Sequence, residues 1–281
     1  DQMTTGFKGG EMIVIAARPG VGKTALALSM ARHILRQRFD IEKDDFVRPG
    51  HPVAFFSLEM SAQQLMFRLL SSHAGLDSEQ IRRGQLSESQ ITALRGVAAE
   101  ISDLPLLLDE SSLLSIGQLR ARARRLKKMH NIGIIFVDYL QLLTSGTDRA
   151  RESRQVEVSE ISRGLKALAM ELNIPVVVLA QLNRKPEETN QDPALHHLRE
   201  SGSIEQDADV VLLLSRENST EDHESAEGST EEGEPAQPHP LQRGIVCKLN
   251  IAKQRNGPTD RIRLLFQPRF TRFDSLPREA R

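Results

Sequence analysis

The sequence of 281 residues has no tryptophan, one tyrosine (Tyr139) and one cysteine (Cys247). A lone cysteine excludes a disulfide framework, and Cys247 reads as a small core residue in a strand. No apolar run approaches the roughly 20 residues that a membrane-spanning helix needs. No secretory signal is visible, and no membrane partner is expected. Aromatic residues make up only 4% of the chain, so platforms for stacking bases are scarce. Net charge is scarce too: 37 Lys and Arg face 38 Asp and Glu, a formal charge of −1. That balance hides a division. Eight of the acids lie between Glu217 and Pro240, a stretch with no Lys or Arg. The remainder carries roughly +7, which suits a polyanionic partner. The first residue is Asp1 rather than Met, as expected of a fragment or a processed product.

What is present is a regular alternation. Apolar, β-branched runs recur at Met12–Ala16, Val53–Phe56, Leu106–Leu108, Ile134–Val137, Val176–Leu179, Val210–Leu214, Ile245–Ile251 and Ile262–Phe266. The first six are almost continuously apolar, the pattern of parallel strands covered on both faces. Helical periodicity lies between most of them, at Thr24–Arg38, Ala62–Ser72, Ser89–Ser102, Ile116–His130 and Glu157–Leu172. Strand–helix alternation predicts an α/β fold with a doubly wound, mainly parallel sheet. Only Gln254–Arg261 separates the last two runs, so the sheet is expected to end in an antiparallel hairpin. One domain over 1–281 is expected, interrupted at 217–240 by an acidic surface insert with too few apolar residues to offset its ordering entropy.

The chemistry starts at Ala17-Arg-Pro-Gly-Val-Gly-Lys-Thr24. This segment follows a strand, opens a helix and fits the phosphate-loop pattern in its last five positions. Gly20, Val21, Gly22, Lys23, Thr24 and Ala25 are the expected nucleotide contacts. The two glycines let backbone N–H groups turn towards phosphates, Lys23 reaches the β and γ phosphates, and Thr24 offers a hydroxyl to Mg²⁺. The strict pattern has Gly where this chain has Ala17. A magnesium-ordering acid is expected on a neighbouring strand, and Asp138 closes Ile134–Val137. By itself an Asp after a strand is a turn or a helix cap; beside a phosphate loop the metal role is preferred. Glu59, at the end of another strand, is the candidate water-activating base. Taken alone it would be a Glu favoured by a helix dipole. Gln181 closes Val176–Ala180 and qualifies as a γ-phosphate sensor, or as a polar residue ending a strand.

These segments resemble the motor domain of the DnaB-type replicative helicases. The resemblance rests on 17–24, Phe-Ser-Leu-Glu-Met (56–60), Phe-Val-Asp-Tyr-Leu-Gln (136–141), Ala-Gln-Leu-Asn-Arg (180–184), Leu-Arg-Glu-Ser-Gly-Ser-Ile-Glu-Gln-Asp-Ala-Asp (198–209) and Ala-Lys-Gln-Arg-Asn-Gly-Pro (252–258). The last two are the most specific. The resemblance implies a RecA-like P-loop NTPase that hydrolyses ATP with Mg²⁺. It implies a homohexamer with ATP sites between neighbours, single-stranded DNA in the channel and 5′ to 3′ unwinding. Primase and a helicase loader are implied partners, and the cytoplasm, near the nucleoid, the implied location. Carried over, Glu59 is the base, Asp138 supports Mg²⁺ and Gln181 senses the γ-phosphate. Arg199, Glu200 and Gly202 belong to a loop on the DNA backbone. Lys253 and Arg255 act in trans on the neighbour's ATP, Arg255 as arginine finger. The chain departs from the family in lacking its helical N-terminal domain, in the acidic insert, in His196-His197, and in Asp260 where a small residue is common.

Two other readings stand beside this one: a filament-forming recombination or repair ATPase, and a nucleotide-gated loader or assembly protein. Neither accounts for 198–209 together with Glu59 and Arg255. The basic run Arg120–Lys128 reads as a solvated helix face in preference to a DNA contact, and His196-His197 as surface histidines in preference to metal ligands.

Overall fold

The computed structural model describes residues 4–36, 38–40, 45–48, 50–147, 153–182, 193–217 and 244–276. In chain order the elements are β1 (Met12–Ala17), α1 (Lys23–Leu35), β2 (Arg38–Asp40), β3 (Asp45–Arg48), β4 (Val53–Ser57), α2 (Ala62–Ala74), α3 (Ser78–Arg83) and α4 (Glu88–Ser102). There follow β5 (Leu106–Asp109), β6 (Leu114–Ser115), α5 (Ile116–His130), β7 (Ile134–Asp138), β8 (Leu143–Thr144) and α6 (Arg154–Leu172). The chain closes with β9 (Val176–Gln181), α7 (Gly202–Asp207), β10 (Val210–Arg216), β11 (Ile245–Gln254), β12 (Arg261–Gln267) and β13 (Arg272–Ser275).

Nine strands form one sheet in the order β13-β12-β11-β10-β1-β9-β7-β4-β5. From β10 to β5 all neighbours run parallel. The remaining pairs, from β10 out to β13, are antiparallel. The expected parallel sheet with an antiparallel end is therefore present, one strand longer than the predicted hairpin. The sequence pattern does not reveal β13, because Arg272–Ser275 sets polar residues around a single buried Phe273.

Strand periodicity explains the continuous apolar runs. Successive side chains point to opposite faces, and both faces are covered. Met12, Val14 and Ala16 pack with Leu119 and Ala123 of α5 and with Ile161, Leu165 and Leu168 of α6. Ile13, Ile15 and Ala17 pack with Ala27, Leu28 and Ala31 of α1 and Leu65 and Leu69 of α2. Ile13 and Ile15 are fully buried, each contributing about 1.5–3 kcal/mol. Capping boxes start α2 (Ser61, Gln64), α4 (Ser87, Gln90) and α5 (Ser115, Gln118), each satisfying two orphan N–H donors.

Several boundaries differ from the sequence expectation. α1 stops at Leu35, where Arg36 turns extended, and Arg38 begins β2 instead of ending the helix. Glu217 does not belong to the acidic insert: its N–H donates to Val246 O, and its carboxylate pairs with Arg263 at 3.0 Å. The rest of that stretch, 218–240, lies outside the described residues, as do Asn183 and Arg184. The basic run on α5 is largely paired within the chain. Arg120 and Arg124 share Glu171, whose carboxyl they draw down to about 2. Arg122 meets Asp109 at 2.7 Å, and Lys127 donates to Ile132 O. Among the described residues no helix is long and apolar enough to cross a membrane.

Candidate functional site

The sheet order places the sequence-predicted residues side by side. The carboxyl ends of β1, β9, β7 and β4 are consecutive. They carry, in that order, the glycine loop, Gln181, Asp138 and, two residues past β4, Glu59. β7 is not the neighbour of β1 that the sequence leads one to expect, because β9 runs between them. Asp138 is reached instead from the helix after the loop.

β1 stays paired on both sides as far as Ala17, opposite Leu214 and Gln181. Ala17 is thus an extended strand residue, and the departure from Gly is accommodated without strain. The chain then leaves the sheet, with Arg18, Pro19 and Gly20 exposed. Gly20 (φ +76°) and Gly22 (φ +111°) adopt left-handed backbone, which side chains disfavour. At Gly22 a Cβ would also lie 3.1 Å from Phe273. Arg216 pins the loop by donating to Gly20 O at 2.7 Å. α1 begins at Lys23 with no side-chain cap, so its first N–H donors and positive dipole end face the loop.

Thr24 Oγ1 donates to Asp138 Oδ2 at 2.7 Å. Asp138 is completely buried, and its Oδ1 has no hydrogen-bond partner among the described residues. Burial pushes its carboxyl above the usual range, against the Thr24 hydroxyl and the Lys23 charge. Burial lowers Lys23, opposed by Asp138 and Glu59. The Lys23 ammonium sits 4.9 Å from the Tyr139 ring centroid. An open, buried carboxylate oxygen beside a hydroxyl is a hard-oxygen pair of the kind that suits Mg²⁺. A triphosphate against the loop would complete such a site with its own oxygens.

Glu59 is exposed, in a bend that joins β4 to α2. Ser57 Oγ donates to Met60 O at 2.7 Å, and Leu58 N donates to Asp138 O at 2.7 Å, tying the bend to β7. Arg68 lies within the field of both carboxylates, and sequence reasoning does not find it. It lies on α2, where burial lowers its guanidinium against the fields of Asp138 and Glu59. The only sequence signal is a cation three residues after the buried Leu65.

Lys253 and Arg255 lie elsewhere. β11 is an interior strand between β10 and β12. Its last residue, Gln254, pairs with Val210 at the amino end of β10, and Asp209 N donates to Met12 O. Arg255 is thus level with the start of β1, about five residues or roughly 15 Å along the strand from the glycine loop. Lys253 Nζ donates to Glu205 O and Ala208 O at 2.5 and 2.8 Å, and Arg255 to Gln206 O at 2.6 Å. Burial lowers the Lys253 ammonium, with the Arg255 charge adding to it. Asp209 gathers this end: its Oδ2 accepts from Met12 N (2.8 Å) and Lys166 (2.6 Å), and its Oδ1 lies 3.4 Å from Arg255. Asp207 accepts from Ser162 at 2.6 Å. Arg199 and Glu200 fall in a 3-10 helix, Leu195–Ser201, that runs into α7 at Gly202; the expected loop is helical here.

The chain matches the description "DnaB-like helicase C terminal domain" over residues 1–275. The replicative DNA helicase DnaB of Leifsonia xyli subsp. xyli is 41% identical over 274 residues, covering 97% of this chain and 53% of that protein. That of Geobacillus stearothermophilus is 38% identical over 279 residues, covering 99% and 55%. The chain spans about half the length of these curated relatives. The solved structure "The Structure Of A DnaB-Like Replicative Helicase And Its Interactions With Primase" superposes with a TM-score of 0.79 at 31% identity, covering 99% of this chain and 60% of that one. A second solved structure, described as an ATPase domain, gives the same score and identity, covering 99% and 88%. The chain belongs to the DnaB-like helicase C-terminal domain family.

Proposed function

We propose that residues 1–281 form a single RecA-like motor domain of a replicative DNA helicase. In this reading it hydrolyses ATP to move 5′ to 3′ along single-stranded DNA and to unwind duplex. The observation that carries it is the Thr24–Asp138 pair, with the buried Asp138 Oδ1 left open beside the glycine loop.

Gly20, Val21, Gly22, Lys23, Thr24 and Ala25 hold the phosphates, the backbone N–H groups and the Lys23 ammonium neutralising them. Thr24 and Asp138 would hold Mg²⁺, which when bound would supply further neutralisation of phosphate charge. Glu59 takes a proton from water aligned with the γ-phosphate. Gln181 reads the γ-phosphate from the strand between loop and acid. Arg255 and Lys253 lie at the wrong end of the sheet to serve their own loop, which supports their action on a neighbour's nucleotide in a homohexamer. Arg199, Glu200 and Gly202 contact the DNA backbone from the same end. By resemblance, primase and a loader are partners of the whole protein, and the site of action is the cytoplasm near the nucleoid.

Strand displacement on forked DNA tests this reading. Displacement that needs ATP and a free 5′ tail supports it. ATP hydrolysis without displacement on either tail, in a verified ring, favours the loader or assembly reading instead.

A further inference from the structure

Gln141, at the end of the 136–141 segment, has no part in the roles above. We propose that Gln141 is a positioning residue for hydrolysis: it holds the backbone of Gln181 and so sets the aim of that side chain at the γ-phosphate. The proposal rests on the reading of Gln181 as the sensor.

β9 is paired unequally along its two edges. Towards β1 its register runs from Val176 to Gln181. Towards β7 it stops at Val178, opposite Val137. One residue later β7 ends at Asp138, and the chain turns into a short 3-10 helix, Leu140–Leu142. The N–H and C=O of Gln181 face this vacated side, since Leu182 N, the next donor, is the one that bonds β1 through Ala17 O. Both groups are met by one side chain. Gln141 Nε2 donates to Gln181 O at 3.1 Å, and Gln141 Oε1 accepts from Gln181 N at 3.2 Å. The carboxamide thus replaces the missing strand, offering the donor and acceptor that a peptide group would. Among uncharged side chains only Gln and Asn carry such a pair on an amide.

Gln141 is itself fixed. Arg154 donates to its carbonyl at 2.6 Å and is held by Glu157 at 2.6 Å. The preceding Leu140 is fully buried, and Leu142 N donates to Tyr139 O at 3.1 Å. Three residues upstream is Asp138. The proposed metal-binding carboxylate and the proposed sensor are therefore joined by one short, doubly anchored segment. A tilt of the Gln181 peptide would swing its side chain by a distance that matters to a reaction needing alignment within about an ångström.

The test compares Gln141→Leu, Gln141→Asn, Gln181→Ala and the double variant Gln141→Leu/Gln181→Ala in DNA-stimulated ATP turnover, with hydrogen exchange at the Gln181 amide. Leu keeps the size and removes both bonds; Asn keeps the chemistry but is one methylene too short to span both, and guards against a folding defect in the Leu variant. We expect kcat to fall about tenfold in each Gln141 variant with KM for ATP within about twofold, because no ground-state contact to ATP is lost. The double variant should turn over no more slowly than Gln181→Ala, and the Gln181 amide should exchange faster in Gln141→Leu. Parental kcat in Gln141→Leu, with Gln181→Ala slow, overturns the positioning role alone. Full multiplication of the two losses in the double variant also overturns it, since Gln141 would then act independently of Gln181. Parental turnover in Gln181→Ala removes the sensor reading itself, and the positioning role with it.

Discussion

Arg255 donates to the carbonyl oxygen of Gln206 across 2.6 Å, at the end of the sheet opposite its own glycine loop. Its guanidinium is anchored on α7, which follows directly from the segment holding Arg199 and Glu200. On the proposed reading, a residue so placed acts in the site of another subunit, since it cannot reach its own glycine loop. Arg255→Ala chains and Lys23→Ala chains should each be inactive, with single-turnover hydrolysis reduced roughly 10³–10⁵-fold in Arg255→Ala. Rings assembled from both should recover part of the activity, because some interfaces then join an intact Lys23 to an intact Arg255. Near-parental single-turnover rates in Arg255→Ala hexamers would show that it is a surface cation bonded to α7 and nothing more.

Glu59 is exposed and close enough to Lys23 and Asp138 for its charge to act on both. Glu59→Gln keeps the shape and removes the proposed base. Nucleotide affinity should stay within about threefold while kcat falls roughly 10²–10⁴-fold. Equal losses of binding and turnover would mark Glu59 as a residue that shapes the bend before α2.

Asp138 carries a cost in the folded chain. Burial holds its carboxyl above the unfolded value. Below the unfolded value both states are protonated and there is no penalty. The penalty appears as pH rises through the unfolded value and is complete above the folded one. Asp138→Asn keeps an acceptor for Thr24 and removes that penalty. The variant should melt at or above the parental temperature at neutral pH without nucleotide, and should lose Mg²⁺-dependent ATP hydrolysis. A substantial drop in melting temperature would contradict the account of a desolvated carboxylate retained for its chemistry.

Gly22 combines a left-handed backbone with close contact to Phe273. Gly22→Ala should destabilise the chain by about 1–3 kcal/mol and weaken nucleotide binding, measured by chemical denaturation and by titration with a fluorescent nucleotide. Gly20 shares the backbone conformation but has open space around it, so Gly20→Ala should cost less.

The parallel half of the fold is legible because full burial on both faces leaves a direct trace: Met12–Ala17 is apolar at every position and buried at every position. The order of the strands leaves no such trace. Nothing local distinguishes a β7 adjacent to β1 from one with β9 between, and Asp138 meets the loop only because Thr24, on α1, reaches across. β2, β3 and β13 escape a sequence reading because they are short and at least half polar. Arg68 escapes it because its meaning is purely spatial: nothing local in an amphipathic helix shows which charges an arginine will come near. Gln141 shows the reverse case. Its motif is visible in the sequence, and only the unequal edges of β9 give it a task.

The most direct test of the account is ATP turnover by this chain with and without single-stranded DNA, for the parent and for Lys23→Ala. The account predicts turnover that rises several-fold on adding DNA and vanishes in Lys23→Ala, whose melting temperature stays near the parental value. Turnover indifferent to single-stranded DNA, or retained by Lys23→Ala, would contradict a DNA-driven motor built on the Lys23, Thr24 and Asp138 site.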